Sequence, residues 1–150
     1  MRAMPESSED WKEDLDRFLR QRATNTASVE KAAEQKKLEG KIFLASKVLP
    51  AFADLKVQLE KNGRMVTIYS GQDNVNIIVK NADLEEFNYS IEVSPLRAAP
   101  QTVEIITDRQ TGKKLNAVGT LRTRSRDYSL RSITKEEIIQ EALRKYKDRV

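Results

Sequence analysis

The chain has 150 residues and a net charge of +4, with 33% charged and 39% apolar residues. This length suits one domain, and the balance is more polar than the roughly 25% charged and ~45–50% apolar of an average domain, so part of the chain should be a solvated helix or tail. Neither cysteine nor histidine occurs, which excludes disulfides, thiolate chemistry, Cys/His zinc sites and Ser–His–Asp triads.

The sequence contains no run of about 20 apolar residues and no apolar signal segment. We therefore expect neither a membrane span nor a signal peptide. A chain without cysteine fits a cytoplasmic location, and a compact single domain favours a bacterial source. The five glycines are scattered and form no phosphate-binding loop, so we expect no cofactor.

The first helix is predicted from a narrow apolar stripe. Residues at helical spacing form this stripe: Trp11, Leu15, Phe18 and Leu19. They predict a helix over about residues 8–22, preceded by a disordered start at 1–7. The polar residues 24–28 predict a break after it, from which the next helix could be capped.

A second helical pattern runs from residue 28 to residue 62 and becomes strongly amphipathic after residue 41. Gly63 is typical of a left-handed glycine that ends a helix. A helix of this length is unusual in a small domain, so we expect Gly40 or Pro50 to break or kink it.

From residue 65 the apolar period changes from 3.6 to 2, which predicts β-strands. The predicted strands lie near residues 65–70, 75–80, 87–94, 103–106 and 115–122. The third should have one buried and one solvent-facing side, and residues 81–86 should form an acidic loop before it. Tyr128 and Leu130 either add a sixth strand or lie over the core. Because no connection is long enough for a helical crossover, the sheet should be an antiparallel meander.

The last helix has the clearest start signal in the chain. Thr134 and Glu137 have the spacing of a capping box, and Ile133 and Ile138 have that of a hydrophobic staple. The helix should therefore begin directly after Thr134.

The predicted fold class is α+β. N-terminal helices precede a five-stranded antiparallel meander sheet, which a sixth strand could extend, and a C-terminal helix packs on that sheet. We predict residues 1–40 as a polar helical extension and residues 41–150 as a compact domain.

Basic residues are concentrated between residues 109 and 131, which hold seven basic side chains and one acidic one. In an extended segment, Arg122, Arg124 and Arg126 would share one face at roughly 7 Å intervals. A polyanion-binding site is one interpretation, and its candidate residues are Lys113, Lys114, Arg122, Arg124, Arg126 and Arg131. The other is a solvated strand edge whose like charges prevent aggregation, which we favour because aromatic residues for base stacking are scarce there.

The helical region 8–62 is longer than one small sheet can cover. It is interpreted either as an arm that pairs with a partner or another copy, or as a frayed extension. In the first case Trp11, Leu15, Phe18 and Leu19 are the candidate partner-binding residues.

Two weaker patterns involve carboxylates. Residues 83–86 with Asp73 could hold a divalent cation, but their spacing matches no calcium loop, which favours a solvated turn. Glu92 and Glu104, predicted on the polar face of neighbouring strands, could form a catalytic pair.

The leading hypothesis is a non-enzymatic interaction module that self-associates through its N-terminal helices. The alternative is an RNA- or DNA-binding protein that uses the basic strand edge around residues 109–131. An enzyme is the least favoured class, because the sequence contains no catalytic set.

Overall fold

A computed structural model describes residues 9–97, 99–121 and 130–150. The elements in chain order are α1 (Glu9–Phe43), a π-helical turn (Leu44–Val48), α2 (Leu49–Lys61), β1 (Met65–Ser70), β2 (Asn74–Asn81), β3 (Leu84–Glu92), β4 (Gln101–Thr107), β5 (Lys114–Thr120) and α3 (Lys135–Arg149). The predicted α+β class is confirmed. The chain divides into two compact units, unit 1 up to Gln35 and unit 2 from Lys36 to Val150. The predicted division into residues 1–40 and 41–150 stays a prediction.

Helix α1 is continuous through residues 24–28, so the predicted break there is wrong. The hydroxyl groups of Thr24, Thr26 and Ser28 each donate to the backbone carbonyl four residues earlier, at 3.0 Å. Such side chains can cap a new helix, but they can equally bond back inside an existing one. Here the side chains bond back inside the helix, and α1 continues through these residues.

The α-helical pattern continues through Gly40 and changes only just before Pro50. A side chain at Gly40 would lie 2.9 Å from Val93, which explains the glycine by close packing. In the π-helical turn, the N–H of Leu49 donates to the carbonyl of Leu44, five residues earlier. Pro50 then occupies the first turn of α2. The predicted interruption at Pro50 is therefore a π-helical turn rather than a break.

The five strands form one sheet in the order β1-β2-β3-β4-β5, and all neighbours are antiparallel. The predicted meander is confirmed. Of the two residues considered for a sixth strand, Tyr128 lies outside the described residues and Leu130 lies in a turn.

The predicted acidic loop at residues 81–86 is wrong, because β3 begins at Leu84. The connection is a tight turn in which Ala82 adopts a φ of 54°. A register shift after Val79 leaves Glu86 as an extra residue in β3. Glu86 is buried, and its carboxylate accepts a hydrogen bond of 3.0 Å from Arg64 Nε.

The hydrophobic core of unit 2 lies between the sheet and the helices α2 and α3. Its largest fully buried side chains include Phe52, Ile77, Tyr89, Ile91, Ile133 and Ile138. The C-terminal helix therefore packs on the sheet, as predicted.

The alternate side of β3 differs from the prediction of a solvent-facing surface. Asn88 and Ser90 are both buried. Asn76 Nδ2 donates to the side-chain oxygens of both, at 2.8 Å. The difference arises because β3 lies in the centre of the sheet and its polar side chains bond to the amide of Asn76. The alternation of residues in the sequence reveals neither feature.

Helix α3 begins as predicted. The Thr134 hydroxyl accepts a hydrogen bond of 3.2 Å from the N–H of Glu137. Ile133 and Ile138, on either side of the cap, are fully buried in the same core. The capping interaction and the hydrophobic staple are both present.

A lysine ties the residues before α3 to the π-helical turn. Lys47 Nζ donates to the carbonyls of Leu130, Arg131 and Ile133 at 2.9, 2.8 and 2.5 Å. Each of the three ammonium hydrogens can thus bond to one carbonyl. These bonds satisfy backbone acceptors of a loop segment that is not paired in the sheet.

Candidate functional site

The part of α1 that belongs to unit 1 is exposed on all sides. Every side chain from Asp10 to Gln35 is solvent-accessible. Most of them are polar or alanine, which suits a solvated helix. The exceptions are Val29 and the large apolar side chains near the start of the helix.

The apolar stripe predicted from the sequence consists of Trp11, Leu15, Phe18 and Leu19. These side chains are 53, 45, 57 and 51% exposed, respectively. Single exposed apolar residues are common on proteins, whereas a contiguous exposed group marks an interaction surface. The structure therefore brings all four predicted partner-binding residues together on one open helix face.

The charges on this segment are separated along the helix. The acidic stretch, residues 10–16, has four carboxylates and one lysine. The basic stretch, residues 17–22, has three arginines and no acidic residue. The two stretches thus carry formal charges of equal size and opposite sign.

Arg22 lies in line with this surface, although apolar periodicity does not predict it. Arg22 follows Phe18 by four residues, after spacings of four and three between Trp11, Leu15 and Phe18. This alternation keeps side chains along one seam of a helix. The 4-3-4 spacing could have identified Arg22, but a charged residue does not register in a search for apolar periodicity.

The predicted polyanion-binding residues lie only partly within the described chain. Lys113 and Lys114 are exposed where β5 begins, whereas the segment with Arg131 lies near Pro100, where β4 begins. Because β4 and β5 are antiparallel, these are opposite ends of β5, roughly 20 Å apart. Arg122, Arg124 and Arg126 lie outside the described residues. Polyanion binding therefore stays a prediction.

The proposed pair Glu92 and Glu104 does not form. Glu92 is paired in register with Gln101, three residues before Glu104. The two carboxylates therefore point to opposite faces of the sheet. Glu104 is almost fully buried and accepts a hydrogen bond of 2.6 Å from Arg149 Nε, which raises the pKa of the arginine.

A buried tyrosine lies next to this ion pair. Tyr89 is fully buried, its hydroxyl has no hydrogen-bond partner of good geometry among the described residues, and burial raises its pKa. The nearby carboxylate of Glu141 adds to the rise, and Thr102 opposes it. Because Tyr89 is closed to solvent, it serves the core rather than a substrate site.

An open depression of 420 Å³ lies at one end of β2 and β3 in unit 2. Its lining residues are Asp73, Asn74, Glu92, Val93, Ser94, Pro95 and Arg97. It is shallow and mixed in charge, unlike the concave, mostly apolar pockets that bind small molecules.

Within the described ranges, no three acidic side chains are grouped closely enough to hold a metal ion. One member of the acidic group considered from the sequence, Glu86, is paired with Arg64. Within the same ranges no helix is both long and apolar enough to cross a membrane.

No protein-family model matches the chain, and no curated protein or solved structure matches it at a significant level. The function therefore has to be inferred from the residues of this chain. Among the described surfaces, the apolar stripe of α1 groups four large apolar side chains that are 45–57% exposed.

Proposed function

We propose that this protein is a non-enzymatic interaction module in which the apolar stripe of α1 packs against the same stripe of a second copy. The observation that supports it is the half-exposure of four large apolar side chains on one helix face. Amphipathic helices that dock on a partner present apolar anchors at spacings of three and four residues, and Trp is enriched among the residues that dominate binding energy.

A second copy is the occupant that the charges favour. Within residues 10–22 the acidic stretch and the basic stretch have opposite formal charges of equal size. A surface that carries both signs in this way is complementary to itself. A strongly acidic or strongly basic partner would be attracted by one stretch and repelled by the other.

The expected affinity is low. The stripe spans about three helical turns, and four side chains from each copy bury less area than the ~1,200 Å² typical of a stable interface. We expect a reversible dimer with a dissociation constant in the micromolar range or weaker.

The proposal places this module in the cytoplasm. The absence of cysteine supports a compartment in which disulfides are not used.

Sedimentation velocity of the full chain over a range of concentrations tests the proposal. The wild type should show a sedimentation coefficient that rises with concentration, and the double variant Leu15→Ala/Phe18→Ala should weaken association at least tenfold. Alanine is the best helix former, so the helix itself should persist. Val29→Ala is the control for a distant exposed apolar side chain, because Val29 is 69% exposed on the same helix but lies ten residues, about 15 Å, beyond Leu19.

A wild type that stays monomeric up to millimolar concentration would contradict the proposal. Equal weakening by the double variant and by Val29→Ala would also contradict it, because the stripe would then have no special role.

A further inference from the structure

The residue that follows the apolar stripe along the same line of the helix is a cation. Arg22 lies one helical turn beyond Phe18 on the same seam of α1. If two copies pair through the stripe, Arg22 has to lie opposite a residue of the second copy. Which residue it meets depends on the relative direction of the two helices.

In a parallel pair, each seam residue meets its own copy. Arg22 would then face Arg22, and the acidic stretch would lie beside the acidic stretch of the other helix. Like charges placed directly opposite each other destabilise a helix pair.

In an antiparallel pair centred between Leu15 and Phe18, these two residues face each other across the copies. The same centre places Arg22 level with Trp11, because both lie equally far from it along the helix. The acidic stretch of each copy then lies beside the basic stretch of the other. Both features remove the conflict of the parallel arrangement.

We infer that the two copies pair antiparallel through residues 10–22, with Arg22 of each copy stacked on the indole of Trp11 of the other. This inference rests on the proposed self-association and adds its geometry. The helix already shows that a cation can reach this indole, since Lys12 Nζ lies 5.8 Å from the ring centroid of Trp11. Arginine stacks on tryptophan better than lysine does, because its guanidinium is planar.

The orientation can be measured by pulsed electron paramagnetic resonance on spin-labelled full chains. The chain has no cysteine, so the single variants Lys31→Cys and Gln21→Cys each take one label. In the antiparallel pair, the two labels at residue 31 should be roughly 40–45 Å apart, and those at residue 21 roughly 15 Å apart. In a parallel pair, both distances would be close to the separation of the helix axes, roughly 10 Å plus the label linkers.

The Trp11–Arg22 contact has a separate test with a matched control. Arg22→Glu should weaken association roughly fivefold or more, because it removes the stacked cation and places a carboxylate near the acidic stretch. Arg20→Glu changes the net charge identically, but Arg20 lies on the far side of α1 from the stripe, where its Nε donates to the backbone carbonyl of Asp16. It should weaken association less than twofold.

The outcomes separate the two proposals. A long distance at residue 31 with a short one at residue 21 supports antiparallel pairing. Short distances at both positions would overturn the orientation and leave the proposed self-association standing. No dipolar coupling at either position would overturn both. Equal effects of Arg22→Glu and Arg20→Glu would overturn the contact with Trp11.

Discussion

Helix α3 and the unit 1 part of α1 show similar amphipathic patterns and opposite environments. In α3, Ile138 and Ala142 are buried in the core of unit 2. In α1, Trp11 and Leu15 have the same spacing of four residues and remain about half exposed. An apolar stripe thus predicts that a helix has an apolar face. It does not predict whether that face is buried by other residues of the same chain. The exposed case is the one that points to function.

The largest expected effect compares one aliphatic side chain from each helix. Ile138→Ala should lower the free energy of unfolding by about 2–5 kcal/mol, because it leaves a cavity in a packed core. Leu15→Ala should change it by less than about 0.5 kcal/mol, as is usual for exposed positions. Urea denaturation followed by circular dichroism, at concentrations below those of association, measures both. Comparable losses would show that the stripe is needed for folding.

The start of α3 offers a smaller effect. Thr134→Ala should lower the free energy of unfolding by about 1 kcal/mol, because the N–H of Glu137 loses its hydrogen-bond acceptor. Thr134→Ser keeps the acceptor and should have almost no effect. If both variants unfold at the same urea concentration, the cap does not contribute to stability.

The smallest effect concerns the continuity of α1. Replacing Thr24, Thr26 and Ser28 together by alanine should raise helicity slightly, since each change favours the helix by a few tenths of a kcal/mol. The ellipticity at 222 nm should become more negative, while the urea midpoint of unit 2 stays the same. Loss of helicity would show that the hydroxyl-to-carbonyl bonds hold α1 together, which is contrary to our interpretation.

Much of the fold could be predicted because local signals agree with one another. The change of period after residue 63 indicates strands, the short connections indicate an antiparallel meander, and the capping residues at Thr134 indicate the start of a helix. The predictions that were wrong depended on choices that local chemistry leaves open. Thr24 can cap a helix or bond back within it, and residues 81–86 can form a loop or extend a strand with a bulge.

The candidate site could be predicted in composition but not in environment. Spacing identified Trp11 and Phe18 as a stripe, and the structure adds that both are exposed. Glu104 is the reverse case, because its sequence context indicates a solvated face and only the strand register places it under α3 beside Arg149. Register depends on pairing between distant strands, so a single strand sequence does not contain it.

The lysine that ties the segment before α3 has a consequence for chemical modification. Three carbonyls depend on the ammonium of Lys47. An acetyl group would remove its charge and leave one N–H for all three. We therefore expect acylation of this one amine to weaken the attachment of the segment before Thr134 to the π-helical turn, while the hydrogen bonds of the sheet are kept.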